Sequence, residues 1–261
     1  MSSRPQLLQP PRKFAIGAPR RVGQRVGIYG TGGIGKTSLA ARCPGRKAFI
    51  DLDDSMSRLD IDCPVVQGVE TWQDLRDAVR SFDSVDTIVV DPLTKAEELA
   101  VAWTLENVPN EKGQTVKSIE GYGYGKGFQH VFDTFLPLLS DFDTHVRAGR
   151  NIVLVMHECF TSVPNPQGDD YIRYEPRLQS PGSGKASIRY RVKEWLDHLL
   201  FIGYDIDVRD KKARGSGTRT IYPMEMPHCM AKTRSLTETI DYEPGSVALW
   251  DVLGITTKEK N

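Results

Sequence analysis

The chain has 261 residues, 39% hydrophobic and 26% charged, a composition typical of a globular protein with a sizeable core. Basic and acidic side chains number 34 each, so the formal net charge of zero gives no overall attraction to nucleic acid. No apolar run approaches the roughly 20 residues that a membrane span needs, and no secretory signal is present, so we expect a cytoplasmic protein without a membrane partner.

Charge is distributed unevenly along the chain. Residues 1–50 contain no Asp or Glu, residues 51–110 are mainly acidic, and basic residues return at 173–193 and 209–219. Such clusters permit local phosphate binding on a neutral protein. The proline-containing stretch 1–21 is predicted to be a flexible amino-terminal arm.

A glycine-rich stretch follows a short apolar strand predicted at 25–29. Residues 30–37 read Gly-Thr-Gly-Gly-Ile-Gly-Lys-Thr and fit the P-loop pattern G-x-x-x-x-G-K-[ST], with a helix predicted to begin at Thr37. Backbone N–H groups and the helix dipole then point at one phosphate site. We expect Lys36 to contact the β- and γ-phosphates of ATP and Thr37 to bind Mg²⁺. The predicted nucleotide-binding residues are Gly30, Thr31, Gly32, Gly33, Ile34, Gly35, Lys36, Thr37 and Ser38.

Residues 47–54 are predicted to form a second buried strand that ends in carboxylates. Ligands of parallel α/β sheets bind at the carboxyl ends of strands, so acids there are informative. Two roles stay open for these carboxylates: one polarises the water that attacks the γ-phosphate, or they only cap the following turn.

A second nucleotide motif is predicted at residues 86–91. The run Asp-Thr-Ile-Val-Val-Asp matches the Walker B pattern, and Asp91 would hold Mg²⁺ beside Thr37. Between the two motifs, helical spacing of apolar residues predicts a core helix over 70–82, and a short third strand is predicted at 65–66.

Two further helices are predicted before the next strand. The first, 94–107, is expected to turn Leu99, Trp103 and Leu105 inward, and the second, 128–147, should kink or break at Pro137. The glycine-rich loop between them, 121–127, carries two tyrosines and a lysine. The loop either stacks bases and touches phosphates, or its tyrosines pack on a neighbouring element.

The strand predicted at 151–158 ends in polar residues. His157 is either a γ-phosphate sensor or a buried structural histidine, and Glu158 is a second candidate for water activation. The long irregular segment 161–187 interleaves aromatic and basic residues, a combination that suits single-stranded nucleic acid.

The last third of the chain is predicted to contain a short helix and a β-hairpin. The helix is placed at 192–200, and the hairpin strands at 201–208 and 218–224. The basic tip 209–217 is a solvated loop or a nucleic-acid contact. Trp250 and Leu253 are expected to pack the tail.

The order of these motifs resembles the RecA-like ATPase core, an α/β fold whose mainly parallel sheet is flanked by helices and followed by a β-hairpin. The chain looks most like compact bacteriophage RecA-like ATPases that act as single-strand annealing proteins or recombinases. The resemblance covers about residues 22–235, leaving a tail at 236–261. Its most specific parts are Gly30–Thr37, Asp86–Asp91, Met156-His157-Glu158 and Lys232-Thr233-Arg234.

The resemblance assigns roles to four further residues. Asp53 falls at the position of the catalytic glutamate but is one methylene shorter, although the attacking water must be held within hydrogen-bond reach for hydrolysis. His157 falls at the sensor position that couples nucleotide state to a DNA-binding loop, and Glu158 follows it. Lys232 and Arg234 match a K-x-R pair that reaches a neighbour's γ-phosphate.

The resemblance implies a DNA-dependent ATPase of phage recombination, in the cytoplasm of a bacterial host. It would bind ATP, Mg²⁺ and single-stranded DNA as a homo-oligomeric ring or filament with sites between subunits, and a single-strand-binding protein is a further partner it suggests. The alternatives are a nucleotide-gated DNA-binding or scaffold protein with negligible turnover and a helicase-like replication motor. A small-molecule kinase is disfavoured, since no acceptor lid is evident.

Overall fold

The computed structural model describes residues 17–18, 20, 22–182, 184–209 and 212–256. Seven strands form the central sheet in the order β2-β3-β4-β1-β7-β8-β9, and β5 pairs with β6 separately. The strands are β1 (Arg25–Gly30), β2 (Lys47–Asp51), β3 (Thr87–Asp91), β4 (Asn151–Met156), β5 (Glu158–Val163), β6 (Tyr171–Pro176), β7 (His198–Arg209), β8 (Lys212–Tyr222) and β9 (Ile240–Asp241).

Five neighbouring strands of the sheet, from β2 through β7, are parallel, and β8 and β9 add antiparallel pairs. Parallel strands are covered on both faces, which explains their continuous apolar sequences; every residue of β3 is buried. Because the five strands run the same way, their carboxyl ends meet at one edge of the sheet. The predicted α/β fold, with a mainly parallel sheet and a hairpin after it, is confirmed.

Helices cover both faces of the sheet. One apolar layer contains residues of α2, α3, α4 and α5, and the other contains residues of α1 and α6. The helices are α1 (Lys36–Ala41), α2 (Trp72–Ser81), α3 (Leu93–Asn107), α4 (Lys126–Arg147), α5 (Ile188–Trp195) and α6 (Ala248–Val252). Short 3₁₀ turns lie at Ser55–Arg58 and Ile119–Tyr122.

The face that α3 turns inward differs from the predicted one. Ala96, Ala100 and Thr104 are buried, and the Thr104 hydroxyl lies 2.9 Å from that of Thr134 on α4. Small side chains here let α3 and α4 approach closely. The three predicted core residues, Leu99, Trp103 and Leu105, are therefore only half-buried.

Helix α4 is one element of 22 residues with Pro137 inside it, so the predicted alternative of a break was wrong. An interior proline costs a helix about 3 kcal/mol through its missing hydrogen bond and a steric clash. Phe135, Leu138 and Phe142 flank it and are buried in the core, and this burial offsets the cost.

Residues 161–163 and 171–176 of the segment predicted to be irregular form strands instead. The strand predicted at 151–158 ends at Met156, and Glu158 begins the antiparallel β5–β6 hairpin. Helix α5 then starts at Ile188 rather than at residue 192, with the Ser187 hydroxyl accepting a hydrogen bond from the Tyr190 N–H. Residues 198–200, predicted to be helical, belong to β7.

Other predicted elements shift by smaller amounts. Helix α2 begins at Trp72 because Thr71 and Asp74 form a reciprocal capping box. The predicted strand at 65–66 is reduced to a single bridge between Val65 and Phe49. In the last hairpin, residues 212–217, predicted to lie in the tip, belong to β8. Residues 210 and 211 of the predicted tip and nearly all of the predicted arm 1–21 lie outside the described residues.

The carboxyl-terminal residues pack into the core. Trp250 of α6 is fully buried, and its indole Nε1–H donates to the Leu39 carbonyl of α1 at 3.0 Å. Leu249, Leu253 and Ile255 are also buried, so the predicted packing of Trp250 and Leu253 is confirmed. The described part of the predicted tail thus packs directly against the P-loop helix. None of the helices in the described ranges is long and apolar enough to cross a membrane.

Candidate nucleotide-binding site

The predicted motifs meet at the carboxyl edge of the parallel strands. The P-loop follows β1, His157 follows β4, Asp91 ends β3 and Asp53 follows β2. They share a cavity of about 450 Å³. Its lining residues are Gly32, Gly33, Gly35, Lys36, Thr37, Ser38, Asp53, Ser55, Arg58, Leu59, Asp91 and His157. Three predicted nucleotide-binding residues do not line the cavity: Gly30, which ends β1, Thr31, and Ile34, which is buried.

The P-loop enters α1 through Gly35, whose φ of 102° lies in the left-handed region that favours glycine. The Lys36 ammonium donates to the carbonyls of Gly30 at 2.7 Å and Thr31 at 2.9 Å. Burial lowers the pKa of Lys36, whereas the nearby carboxylates of Glu158 and Asp91 raise it. The lysine is thus held inside the loop with acidic groups close by.

Asp91 has the donor chemistry of a magnesium ligand. Its side chain is buried, and Oδ2 has no hydrogen-bond partner among the described residues. Burial raises the pKa of its carboxyl to about 7, while the Thr37 side chain is close enough to lower it. A buried carboxylate oxygen without a partner, next to a threonine hydroxyl, fits Mg²⁺.

The protein supplies few ligands to such an ion. No group of three His, Cys, Asp or Glu side chains in the described ranges could hold a metal. Mg²⁺ is commonly bound by one or two protein oxygens together with phosphate and water. The donor set of Asp91 and Thr37 therefore fits Mg²⁺ that arrives with a nucleotide.

The two acids after β2 have different roles in the structure. Asp51 accepts hydrogen bonds from the backbone N–H groups of Ser55 at 3.1 Å and Met56 at 2.8 Å, so it caps the 3₁₀ turn. Asp53 is exposed and lines the cavity. Turn capping thus falls to Asp51, and Asp53 is the carboxylate available to a water in the cavity.

His157 connects the cavity to the segment after β6. Its Nδ1 lies 3.0 Å from Arg177 Nη2, and its carbonyl accepts from the Arg177 N–H at 2.9 Å. Arginine has only donors, so Nδ1 is the acceptor and the ring proton is on Nε2. Burial and then the Arg177 charge lower the pKa of the imidazole, which keeps it neutral. Its backbone N–H donates to the Thr94 hydroxyl on α3 at 3.1 Å.

The family model described as AAA domain matches residues 22–235. The chain belongs to this family. It is a nucleotide-binding AAA-type P-loop ATPase domain. No curated protein sequence matches the chain.

Among solved structures, one similar chain is the flagellar accessory protein FlaH from Methanocaldococcus jannaschii. The two share 12% sequence identity with a TM-score of 0.40, and the match covers 85% of each chain.

Lys232 and Arg234 of this AAA domain lie away from its cavity. The Lys232 ammonium donates to three carbonyls at the end of α5, including that of Leu196 at 2.6 Å. Arg234 forms an ion pair with Asp197 at 2.9 Å, and Asp197 also pairs with Arg25 at the start of β1. Both predicted cations thus lie toward the amino edge of the sheet, whereas the P-loop follows its carboxyl edge.

The inner face of the β5–β6 hairpin carries a buried ion-pair network. Glu175, which is fully buried, pairs with Arg173 at 2.8 Å and with Arg189, and Arg173 also reaches Glu225 at 2.6 Å. Arg173 and Arg189, two of the basic residues in and beside the segment predicted to suit nucleic acid, therefore neutralise a buried carboxylate instead of standing free for phosphate.

The outer face of the same hairpin is apolar. Phe160 and Ile172 are 68% and 69% exposed, and the strand register makes them diagonal neighbours on one face. Tyr174 lies beside Phe160 at 4.7 Å between ring centroids and packs on Phe201. In the loop at 121–127, Tyr122 is buried, as the packing interpretation predicts, whereas Tyr124 is fully exposed.

Three residues contact the site although the sequence did not predict that they would. Arg58 lines the cavity from the turn after β2. Arg219 and Tyr242 contact the backbone of the P-loop from β8 and from the residue after β9. Arg219 belongs to a basic cluster and Tyr242 to the predicted tail, and only the sheet topology brings them to the loop.

Proposed function

We propose that this AAA domain hydrolyses ATP and binds single-stranded DNA in phage recombination or single-strand annealing. The observation that carries the ATPase proposal is the shared cavity, where Lys36, Thr37, Asp91, Asp53 and His157 converge from the ends of four parallel strands. Such a convergence of phosphate-binding, metal-binding and water-orienting groups is typical of P-loop NTP hydrolysis.

Each group has a defined task in the proposed reaction. Lys36 and the loop N–H groups bind the phosphates, and Thr37 and Asp91 hold Mg²⁺, which neutralises charge on the β- and γ-phosphates when bound. Asp53 orients the attacking water, with Glu158 as the second candidate. The His157 Nε2–H reports the γ-phosphate, and Arg177 links it to the hairpin.

The outer face of the β5–β6 hairpin is the proposed DNA contact. Phe160 offers an exposed ring on which a base can stack, and stacking contributes about 1–3 kcal/mol per base. Lys185 and the exposed side chain of Arg191 supply positive charge in the following segment. With Arg173 and Arg189 in internal ion pairs, we propose that stacking outweighs phosphate contacts in each subunit.

The proposal includes a homo-oligomer, a ring or a filament. Arg234 of one subunit would reach the γ-phosphate of its neighbour. The exposure of its side chain, 62%, supports this role, since among the described residues its one ion pair is with Asp197.

The test is steady-state ATP hydrolysis with and without single-stranded DNA at two salt concentrations. We expect DNA to stimulate turnover, and the stimulation to weaken as salt rises. Phe160→Ala should reduce the stimulation and leave basal turnover unchanged. Val252→Ala, an exposed apolar truncation on α6, is the matched control. Turnover indifferent to DNA would refute the DNA half of the proposal.

One observation favours the second candidate, a nucleotide-gated DNA-binding protein with negligible turnover. Asp53 is short and exposed, and its Oδ1 lies 3.3 Å from the Ser55 N–H, so it is poorly fixed for holding a water. Tight ATP binding without hydrolysis, together with nucleotide-dependent DNA affinity, would establish this candidate.

A further inference from the structure

Two side chains from outside the P-loop hold its backbone. Arg219 Nη1 donates to the Ile34 carbonyl at 2.8 Å, and the Tyr242 hydroxyl donates to the Gly35 carbonyl at 2.8 Å. The two residues are themselves joined, because the Tyr242 N–H donates to the Arg219 carbonyl at 2.8 Å. They form one unit on the β8–β9 pair, which we name the P-loop clamp.

The clamp lies directly against the loop. A Cβ atom at Gly35 would stand 2.8 Å from the Tyr242 hydroxyl oxygen and 3.2 Å from Arg219 Nη1. A side chain at residue 35 would therefore have to displace the Tyr242 hydroxyl and would crowd Arg219, in addition to the strain of a positive φ.

Arg219 is fixed by few other contacts. Its guanidinium lies over the Tyr204 ring, 5.3 Å from the centroid. Its Nε is buried and has no hydrogen-bond partner among the residues that the structure describes. The Ile34 carbonyl and the Tyr204 ring are therefore the contacts that set its orientation.

The held carbonyls determine where the loop N–H groups point. In a trans peptide unit the C=O and the following N–H point in opposite directions. Because the Ile34 and Gly35 carbonyls face the clamp, the N–H groups of Gly35 and Lys36 face away from it. Gly35 and Lys36 also line the nucleotide cavity.

We propose that Arg219 and Tyr242 are positioning residues for nucleotide binding. They fix two peptide planes of the P-loop, the second together with the Leu39 N–H of α1, which donates to the Gly35 carbonyl at 2.9 Å. The N–H groups of Gly35 and Lys36 are thereby pre-oriented for the phosphates of ATP. A preformed donor pair does not have to be ordered when the nucleotide binds, which favours affinity. This inference rests on nucleotide binding and is independent of the proposed DNA contact.

The experiment is a titration of the full chain with fluorescent ATP and ADP analogues in the presence of Mg²⁺. Tyr242→Phe removes one hydroxyl, and we expect the Kd to rise roughly 3- to 10-fold, the range of a single hydrogen bond. Arg219→Gln should have at least as large an effect, and Arg219→Lys, which keeps a donor, should recover part of it. ATP and ADP should lose affinity by the same factor, since both carry the phosphates nearest the loop.

Tyr122→Phe is the matched control. The Tyr122 hydroxyl is buried and contacts two carbonyls of the α3 region, Thr104 at 3.0 Å and Val108 at 2.7 Å, far along the chain from the P-loop. We expect it to lower the melting temperature about as much as Tyr242→Phe while leaving the Kd unchanged.

The outcomes separate the inference from its premise. Wild-type affinity in Tyr242→Phe and Arg219→Gln would overturn the positioning role, as would an equal loss of affinity in Tyr122→Phe. A wild-type chain that bound neither nucleotide would overturn the nucleotide site and the clamp together. If Arg219→Gln does not fold, the Kd of Tyr242→Phe tests the positioning role by itself.

Discussion

Replacing Asp91 by asparagine should stabilise the nucleotide-free protein at alkaline pH while removing a magnesium ligand. The carboxyl is buried at the end of β3, and its Oδ2 has no described hydrogen-bond partner. Burial, with a smaller contribution from the Asp53 and Asp51 charges, raises its pKa from 3.8 to about 7. The folded chain therefore holds a proton that the unfolded chain releases.

The magnitude follows from that difference. As the pH rises from 3.8 to about 7, the free energy of unfolding falls by about 1.4 kcal/mol for each pH unit. Above pH 7 the buried carboxylate therefore lowers the stability of the folded protein by about 4 kcal/mol. The asparagine amide removes this cost and adds the desolvation of its own N–H groups, about 1–3 kcal/mol. We expect a net gain of about 2 kcal/mol at pH 8 that disappears near pH 5.

The assay is urea unfolding of the wild type and Asp91→Asn at both pH values, with and without Mg²⁺ and ADP. Mg²⁺ and ADP should stabilise the wild type and not the variant. Asp51→Asn is the matched control, and it should lower the free energy of unfolding. The Asp51 carboxylate accepts backbone hydrogen bonds from Ser55 and Met56, which the substitution weakens. A variant at Asp91 that is less stable than the wild type at pH 8 would refute the reasoning.

Three further outcomes are expected. Asp53→Glu should raise the ATP turnover rate, because the longer carboxylate reaches further into the cavity; a lower rate would remove Asp53 from the role of water activation. Glu175→Gln should cost about 3 kcal/mol in urea unfolding, because it removes the charged partner of Arg189 and one of the two charged partners of Arg173, and a neutral effect would contradict the buried network. Mixing inactive Lys36→Ala and Arg234→Ala chains one to one should restore activity at about one quarter of the interfaces, whereas no recovery would exclude action between subunits.

The nucleotide motifs were predictable because each depends on local sequence. The P-loop needs a strand, glycines and a helix in succession, and Asp91 needs only an apolar strand before it. Both occur within short stretches, so their spacing alone indicates a shared site. The sequence left the acids after β2 open, since only backbone geometry distinguishes Asp51, the cap, from Asp53, which faces the cavity.

The region after β4 could not be predicted in the same way. The β5–β6 hairpin buries Arg173 and Glu175 and exposes Phe160 and Ile172, the reverse of the usual pattern of strands. Its inner face is polar because Arg189 of α5 completes an ion-pair network there. Local sequence therefore indicates an exposed basic loop, and only long-range contacts show that these cations are neutralised.

The positions of Lys232 and Arg234 restrict how the proposed oligomer is built. Arg234 lies near Arg25 at the amino end of β1, and the P-loop follows its carboxyl end, a span of about 17 Å at the usual rise per residue. A neighbour's P-loop can meet Arg234 only if opposite edges of two subunits touch, which is a head-to-tail contact that generates rings or filaments. Lys232 is the weaker candidate for such a contact, since three helix carbonyls already hold its ammonium. In a two-fold dimer that buried equivalent edges, Arg234 could not reach any nucleotide. Arg58, which lines the cavity, would then be the arginine best placed to stabilise the γ-phosphate.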